Sequence, residues 1–409
     1  MQKEFDILVF GATGFTGRLV ARHLKKRYAE GNTSNTTWAV AGRSLDKLQQ
    51  LVKTEQLPPS ISLQVADSNL PETLAEAISK ARVVLTTVGP YARYGSDVVR
   101  LCAELGVHYC DLTGEVHWMR RMIDQHQHTA ERSGARIVHT CGFDSIPSDL
   151  GVLFMQKLMQ ERHGIAACHV KYRGSDFKGG FSGGTLDSMW SMAELAERDP
   201  ALWKLIADPY ALDPEGGHRG QDGPDHTTPE FDPDFNAWVA PFVMAGINTR
   251  VVRRSNALMG YPWGRNFRYD EATLMPSGPF GFVGAAAMAV GFGTMNAMTR
   301  VPPLRELLQR VMPKPGEGPS ESQIENGFFK IELLAKHPTD AAKHLRGRIT
   351  GDKDPGYGST SKMLAECAVA LARDESPVGG GFWTPASALG ESLLERLPAN
   401  AGVRFEVVS

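Results

Sequence analysis

Over the first 150 residues, short apolar runs alternate with longer stretches of helical periodicity. Ile7-Leu8-Val9-Phe10, Trp38-Ala39-Val40-Ala41, Ser62 to Ala66, Val83 to Val88, the run from His108 and Arg136 to His139 read as strands. Between and after them Arg18 to Lys26, Leu45 to Glu55, Leu70 to Lys80, Ser96 to Leu105, Val116 to Ser133 and Leu150 to Arg162 read as helices. Val83 to Val88 has too little polar alternation for an edge strand, which points to burial on both faces, as in parallel sheets.

Beyond Gly164 the pattern changes. Cys168 to Tyr172 alternates beside the glycine-rich Lys178 to Thr185, which suits a mixed sheet near a ligand, with a helix expected over Leu186 to Arg198. Asp208 to Asp234, rich in Pro, Gly and acids, reads as a long surface loop. Phe328 to Ala335 alternates as a half-exposed strand, with His344 to Thr350 as its partner. Helices are expected over Leu304 to Val311, Lys362 to Ala372 and Ala386 to Leu397, the last opened by Thr384-Pro385. The boundary falls near residue 145, giving domains 1–145 and 146–409, with 355–409 a candidate to pack back on the first.

The chemistry concentrates at the ends of the predicted strands. Gly11-Ala12-Thr13-Gly14-Phe15-Thr16-Gly17 follows a strand and opens a helix, so its backbone N–H groups and the helix N-terminus can meet a pyrophosphate. The second strand ends in Gly42-Arg43-Ser44, where an NAD enzyme usually carries an acid. Arg43 instead offers a forked cation to a 2′-phosphate, favouring NADP(H), while Ser44 also fits the N-cap of the next helix. Asp67, at the end of the third strand, is placed to face the adenine, and Gly89-Pro90 to lie beside the cofactor at the end of the fourth. Tyr91, Tyr109 and Asp111, near the ends of the fourth and fifth strands, are the candidate catalytic side chains. Asp111, Thr113 and Glu115 fit turn and cap chemistry equally well. Cys141 reads as a lining residue. His126 and His128 point apart on a helix, so no metal site is expected.

Composition narrows the function. With 44 basic and 46 acidic residues among 409, no polycationic surface suggests nucleic acid. Five scattered cysteines without a C-x-x-C pair fit a reducing, cytoplasmic setting, and the N-terminus enters a strand directly, so no signal peptide is expected. Gly278 to Thr299 carries no charge over twenty-two residues. Its glycine and alanine content favours a buried or interfacial docking segment over a membrane span, with peripheral membrane or lipid contact through 278–299.

Taken together, the glycine turn, Ala41-Gly42-Arg43-Ser44, Val88-Gly89-Pro90-Tyr91, Tyr109 to Glu115, Cys141 to Asp149, Ser182 to Thr185 and Gly356-Tyr357-Gly358 resemble the saccharopine dehydrogenase-like oxidoreductases, in the branch of trans-acting enoyl reductases. The resemblance runs nearly end to end and implies an α/β fold: an N-terminal Rossmann doubly wound parallel sheet and a C-terminal α+β mixed-sheet domain carrying the substrate. It also implies NADPH-dependent reduction of an enoyl intermediate in lipid or polyketide synthesis, on a small or carrier-bound acyl substrate, with a polyketide synthase as partner. Two alternatives stand beside it: an imine or amino-acid oxidoreductase of the saccharopine dehydrogenase type, and a non-catalytic, lipid-associated scaffold that binds NADPH.

Overall fold

A computed structural model describes residues 3–28, 36–179, 190–192, 194, 195, 197, 199, 201–301, 303–306 and 318–408. Gly180 to Thr185, much of the expected helix 186–198 and most of the expected helix 304–311 lie outside the described residues.

The apolar runs become β1 (Phe5–Phe10), β2 (Trp38–Gly42), β3 (Ser62–Val65), β4 (Ala81–Thr86), β5 (His108–Cys110) and β6 (Arg136–Val138). All six residues of β1 are buried, as a central parallel strand covered on both faces requires. Wound between the strands are α1 (Phe15–Tyr28), α2 (Leu45–Thr54), α3 (Pro71–Ser79), α4 (Tyr91–Tyr94), α5 (Ser96–Leu105) and α6 (Val116–Ser133), followed by α7 (Ile146–His163). Gly106 and Gly134 end α5 and α6 in left-handed backbone.

A later segment, β13 (Gly381–Trp383), pairs in parallel with β6, so the first sheet runs β13-β6-β5-β4-β1-β2-β3. All these strands are parallel, but the order in which the chain adds them reverses between β1 and β4, and in doubly wound sheets ligands bind in the crevice beyond that point. One face is covered by α1, α2 and the helix Thr360–Arg373, and the other by α3, α5 and α6.

The second sheet is mixed. Its strands are β7 (His169–Lys178), β8 (Glu230–Asp232), β9 (Ala237–Ala240), β10 (Arg268–Leu274), β11 (Phe328–Lys336), β12 (Leu345–Gly351) and β14 (Val403–Val408), in the order β14-β12-β11-β7-β10-β9-β8. The expected partner of the 328–335 run is found: β11 and β12 are antiparallel, with Ile331 opposite Ile349. The helix Pro385–Arg396 begins with a capping box between Thr384 and Ser387.

One helix, Ala245–Leu258, escaped the sequence pattern because its arginines are inside. Arg250, Arg253 and Arg254 are 2%, 5% and 3% exposed, which inverts the polar-out rule on which periodicity rests. The 208–234 segment, expected as a surface loop, is instead partly buried and ends in β8, because it supplies their partners: Leu212 and Asp222 are inside. Asp225 pairs with Arg250, Asp222 Oδ2 lies 2.7 Å from Arg253 Nε, and the Leu212 carbonyl accepts from Arg254. Burial lowers the Arg254 guanidinium to about 9.

The uncharged 278–299 stretch forms the helix Pro279–Arg300, which packs against β9 but lies largely on the surface. Phe280 is 89% exposed and Val290 68%, so burial within the chain is not how most of its apolar surface is covered. By length and composition it could cross a membrane.

The C-terminal segment is tied to the first sheet by one buried carboxylate. Glu366, on the 360–373 helix, accepts from Tyr28 Oη (2.7 Å) and Asn400 Nδ2 (3.0 Å) and lies 2.8 Å from His23 Nε2. Burial opposes its ionisation, but the bonds from His23, Tyr28 and Asn400 outweigh that and hold the carboxyl below its ordinary value. A depressed carboxyl stabilises the fold above its unfolded pKa, and that contribution fades as pH falls through the folded value. Glu366→Ala is expected to destabilise the protein by about 3–5 kcal/mol, whereas Lys157→Ala, which removes an exposed partner of Glu391, costs about 0–1 kcal/mol. Urea denaturation checks both. The Glu366→Ala deficit should shrink in acid, and equal losses at the two sites would contradict this role.

Candidate functional site

The site begins where β1 turns into α1. Gly11 has φ +87°, and a β-carbon there would stand 2.6 Å from Val88 Cγ2. At Gly17 the obstruction is backbone: a β-carbon would come within 2.2 Å of the Gly11 carbonyl oxygen. Gly14 N donates to that same oxygen (2.9 Å), and Thr87 Oγ1 donates to it from the end of β4 (3.2 Å). The turn is thus drawn tight, and the first-turn N–H groups of Phe15, Thr16 and Gly17 meet no acceptor among the described residues. Unpaired donors, a helix N-terminus and a floor without side chains fit a dinucleotide pyrophosphate.

Arg43 and Ser44 follow β2, next to this turn. A β-carbon on Gly42 would lie 3.6 Å from Thr13 Oγ1, so Thr13 spans the gap between the two loops. Ser44 caps α2, its Oγ accepting from Lys47 N at 3.3 Å. Arg43 is exposed, and no carboxylate among the described residues pairs with it. Asp67 lies one strand further out, where its Oδ1 accepts from Asn69 N (2.9 Å) in a local turn.

The C-terminal part of the chain also reaches the glycine turn. Tyr357 meets the Phe15 ring edge-on at 4.6 Å, and Asp354 fixes the π-helical turn Pro355–Ser359 by accepting from Tyr357 N (3.0 Å) and Gly358 N (2.7 Å).

Across the crevice, the Gly89-Pro90 peptide bond is cis and leads into α4. Glu115, 2% exposed, accepts from Tyr91 N (2.8 Å) and Ala92 N (2.9 Å) and so clamps the β5 tip to the β4 loop. Tyr91, Tyr109 and Asp111 are brought close together, but below the surface. Tyr91 Oη donates to the Thr86 carbonyl (3.3 Å), and Tyr109 Oη donates to Asp111 Oδ2 (2.9 Å). The other ligands of Asp111 are His139 Nδ1 (2.7 Å) and the N–H groups of Thr113 and Thr140 (3.1 Å each). Burial first, then the Asp111 charge, pushes both tyrosine hydroxyls well above their ordinary value. In this conformation all three polar ends are engaged inside the protein, which suits holding the strand tips in register rather than meeting a substrate as expected. Cys141 is fully buried, with its thiol also pushed well up by burial; it lines the core rather than the crevice.

Against the second sheet lies a largely buried aromatic cluster. Phe143, from the turn after β6, packs edge-on against Phe329 (5.0 Å) and Phe177 (6.1 Å), and Phe242 joins Phe177 (5.9 Å) to Tyr172 (5.3 Å). The β7 cations lead elsewhere. Lys171 and Arg173 are paired with Asp232, Asp234 and Asp270. Asp144, next to Phe143, stands apart from both groups. It is partly exposed, and among the described residues nothing hydrogen-bonds to its carboxyl. In the sequence it is one acid of the Cys141 to Asp149 motif, its signal the turn that follows a parallel strand.

Residues 7–138 match the saccharopine dehydrogenase NADP binding domain. A Mycobacterium tuberculosis protein named as a provisional trans-acting enoyl reductase is 41% identical, with 99% of this chain and 97% of the relative covered. The trans-acting enoyl reductase of Mycobacterium ulcerans is 37% identical, covering 97% and 96%. Among solved structures, apo saccharopine dehydrogenase (L-Glu forming) from Saccharomyces cerevisiae shares the fold over 99% of this chain and 100% of its own, with a TM-score of 0.53 at 12% identity. The cofactor is NADP(H), and the chain belongs to the trans-acting enoyl reductase branch of the saccharopine dehydrogenase-like oxidoreductases.

Proposed function

We propose that this NADP-dependent oxidoreductase reduces the carbon–carbon double bond of an α,β-unsaturated acyl thioester, carried by a polyketide synthase or a related lipid-building system. The observation that carries the reading is the 41% and 37% identity, over nearly the whole chain, to proteins named trans-acting enoyl reductases. An amino-acid substrate would need cations, and those of β7 are already committed to aspartates. Residues 1–145 serve as the cofactor unit and 146–409 as the substrate unit, with 355–409 packing back on the first.

Bound NADPH supplies the hydride. The chain's own residues do the rest: the glycine turn with Thr13, Phe15 and Thr16 holds the pyrophosphate, Arg43 and Ser44 the 2′-phosphate, and Asp67 the adenosine end. Gly89 and Pro90 border the nicotinamide half, while the Tyr91, Tyr109 and Asp111 network positions the loops around it. The working place is the cytoplasm, with the 279–300 helix resting on a lipid surface from which the acyl substrate is met.

Three experiments follow. Purified protein should oxidise NADPH with enoyl thioesters and not with 2-oxo acids plus amino acids. Turnover with the second set alone would select the amino-acid dehydrogenase reading, and silence with both despite tight NADPH binding would select the scaffold. Arg43→Ala should cost about 1.5–3 kcal/mol of NADPH affinity, roughly ten- to a hundredfold, and leave NADH nearly unchanged. Fluorescence titration of both dinucleotides decides, and equal losses would remove Arg43 from the site. For the exposed helix, alkaline carbonate should release the protein from membranes, and Phe280→Glu with Val283→Glu should abolish sedimentation with anionic vesicles. Retention in the carbonate pellet until detergent is added would mean a span instead.

A further inference from the structure

The turn after β6 is pinned from three sides. Phe143 N donates to Thr360 Oγ1 (2.9 Å), Ile146 N to the Gly142 carbonyl (3.0 Å), and Ser145 Oγ to Asn248 Oδ1 (3.0 Å). Ser145 takes φ +102°, a region that side chains with a β-carbon rarely adopt, so its neighbours must hold it there. Such an over-determined turn delivers the residue before Ser145 to a fixed place. Asp144 Oδ2 lies 4.0 Å from where a β-carbon on Gly114 would stand, and Ile247 Cγ2 lies 3.9 Å from the same point. The carboxyl therefore looks across the β5 tip toward the first turn of the 245–258 helix, at the carboxyl ends of the parallel strands where doubly wound sheets bind their ligands.

We propose that Asp144 is the proton donor of the reduction. The assignment rests on the enoyl reading above. Hydride from NADPH forms a C–H bond at the β-carbon and the π pair moves toward the thioester carbonyl, giving an enolate. The enolate's electron pair then takes the Asp144 proton at the α-carbon, leaving a carboxylate that water reprotonates. NADPH is oxidised, the acyl chain is reduced, and one solvent proton is consumed.

The other acids nearby are occupied. Asp111 holds Tyr109 and His139, and Glu115 holds the N–H groups of Tyr91 and Ala92. Glu271 accepts from Tyr269 Oη (2.6 Å) and Asn248 Nδ2 (3.0 Å), while Asp149 accepts from Ser255 Oγ (2.5 Å). Both are 1% exposed or less, so neither reaches a substrate. Burial alone pushes the Asp144 carboxyl up to about 7, with no charged neighbour contributing, so a large share carries its proton at neutral pH. Glu271 and Asp149 are also pushed to about 7, which makes the variant, not the pH profile by itself, the discriminating test.

The test compares wild type, Asp144→Asn and Asp144→Glu on crotonyl-pantetheine. Asp144→Asn should bind NADPH as wild type does by fluorescence, yet lose about 10²–10⁴-fold in kcat. Wild-type kcat should fall as pH rises past about 7, since the acid form is the active one; Asp144→Asn should lack that limb, and Asp144→Glu should restore part of the rate. An unchanged kcat with the limb intact in Asp144→Asn would overturn the assignment. If wild type itself is silent on enoyl thioesters, the reductase reading has failed separately, and the infrared band of protonated carboxyls judges Asp144. Loss of a component titrating near pH 7 in Asp144→Asn would support an acid poised in the crevice, and an identical band in both proteins would refute it.

Discussion

No β-carbon fits at Gly11 or Gly17, and the site depends on that steric fact. With 2.6 Å to Val88 at one position and 2.2 Å to a backbone oxygen at the other, β1, α1 and the end of β4 come closer than side chains would permit. The closeness leaves the first N–H groups of α1 open at the crevice and brings Thr87 and the Gly89-Pro90 loop alongside. From there the arrangement extends outward in both directions: Thr13 to the Arg43 turn, and Glu115 to the β5 tip. Loosening the turn would therefore misplace cofactor contacts and the opposite rim together.

The second constraint is the return of the chain. The 360–373 helix covers one face of the first sheet, β13 extends that sheet, and β14 edges the other. Glu366 joins α1 to this return, and Tyr357 sets a ring on Phe15 in the glycine turn itself. The cofactor half of the molecule is thus completed by residues more than 200 positions downstream. Phe143 and Thr360 show the same coupling at the turn after β6, which the returning helix holds.

Much of this was legible in the residues. The helices Ser96–Leu105 and Val116–Ser133 fall where their periodicity placed them, because their polar faces do meet solvent. Parallel strands were readable from runs such as Val83 to Val88, since burial on both faces removes alternation. Where pattern and environment disagreed, reading failed. The 245–258 helix hides three arginines among aspartates and carbonyls, which no local pattern announces, and β13 is three residues long and acquires its identity only by pairing with β6. At the site, Tyr109 and Asp111 drew attention as chemically able groups, but sequence cannot tell a polar side chain that faces a substrate from one that another buried residue has claimed. Asp144 is the reverse case: an ordinary acid in sequence, made unusual by the apolar atoms folded around it.

Transfer of hydride from NADPH to an unsaturated acyl thioester by this protein is tested most directly by tracing the two hydrogens. Protein is supplied with 4-deuterated NADPH and an enoyl thioester in ordinary water, then with unlabelled cofactor in deuterium oxide, and each acyl product is analysed by mass spectrometry. Enoyl reduction places one deuterium from the cofactor at the β-carbon in the first experiment and one from solvent at the α-carbon in the second. NADPH oxidised without cofactor deuterium in the acyl product, or deuterium delivered instead to a carbon bearing nitrogen when amino acid is present, would contradict it.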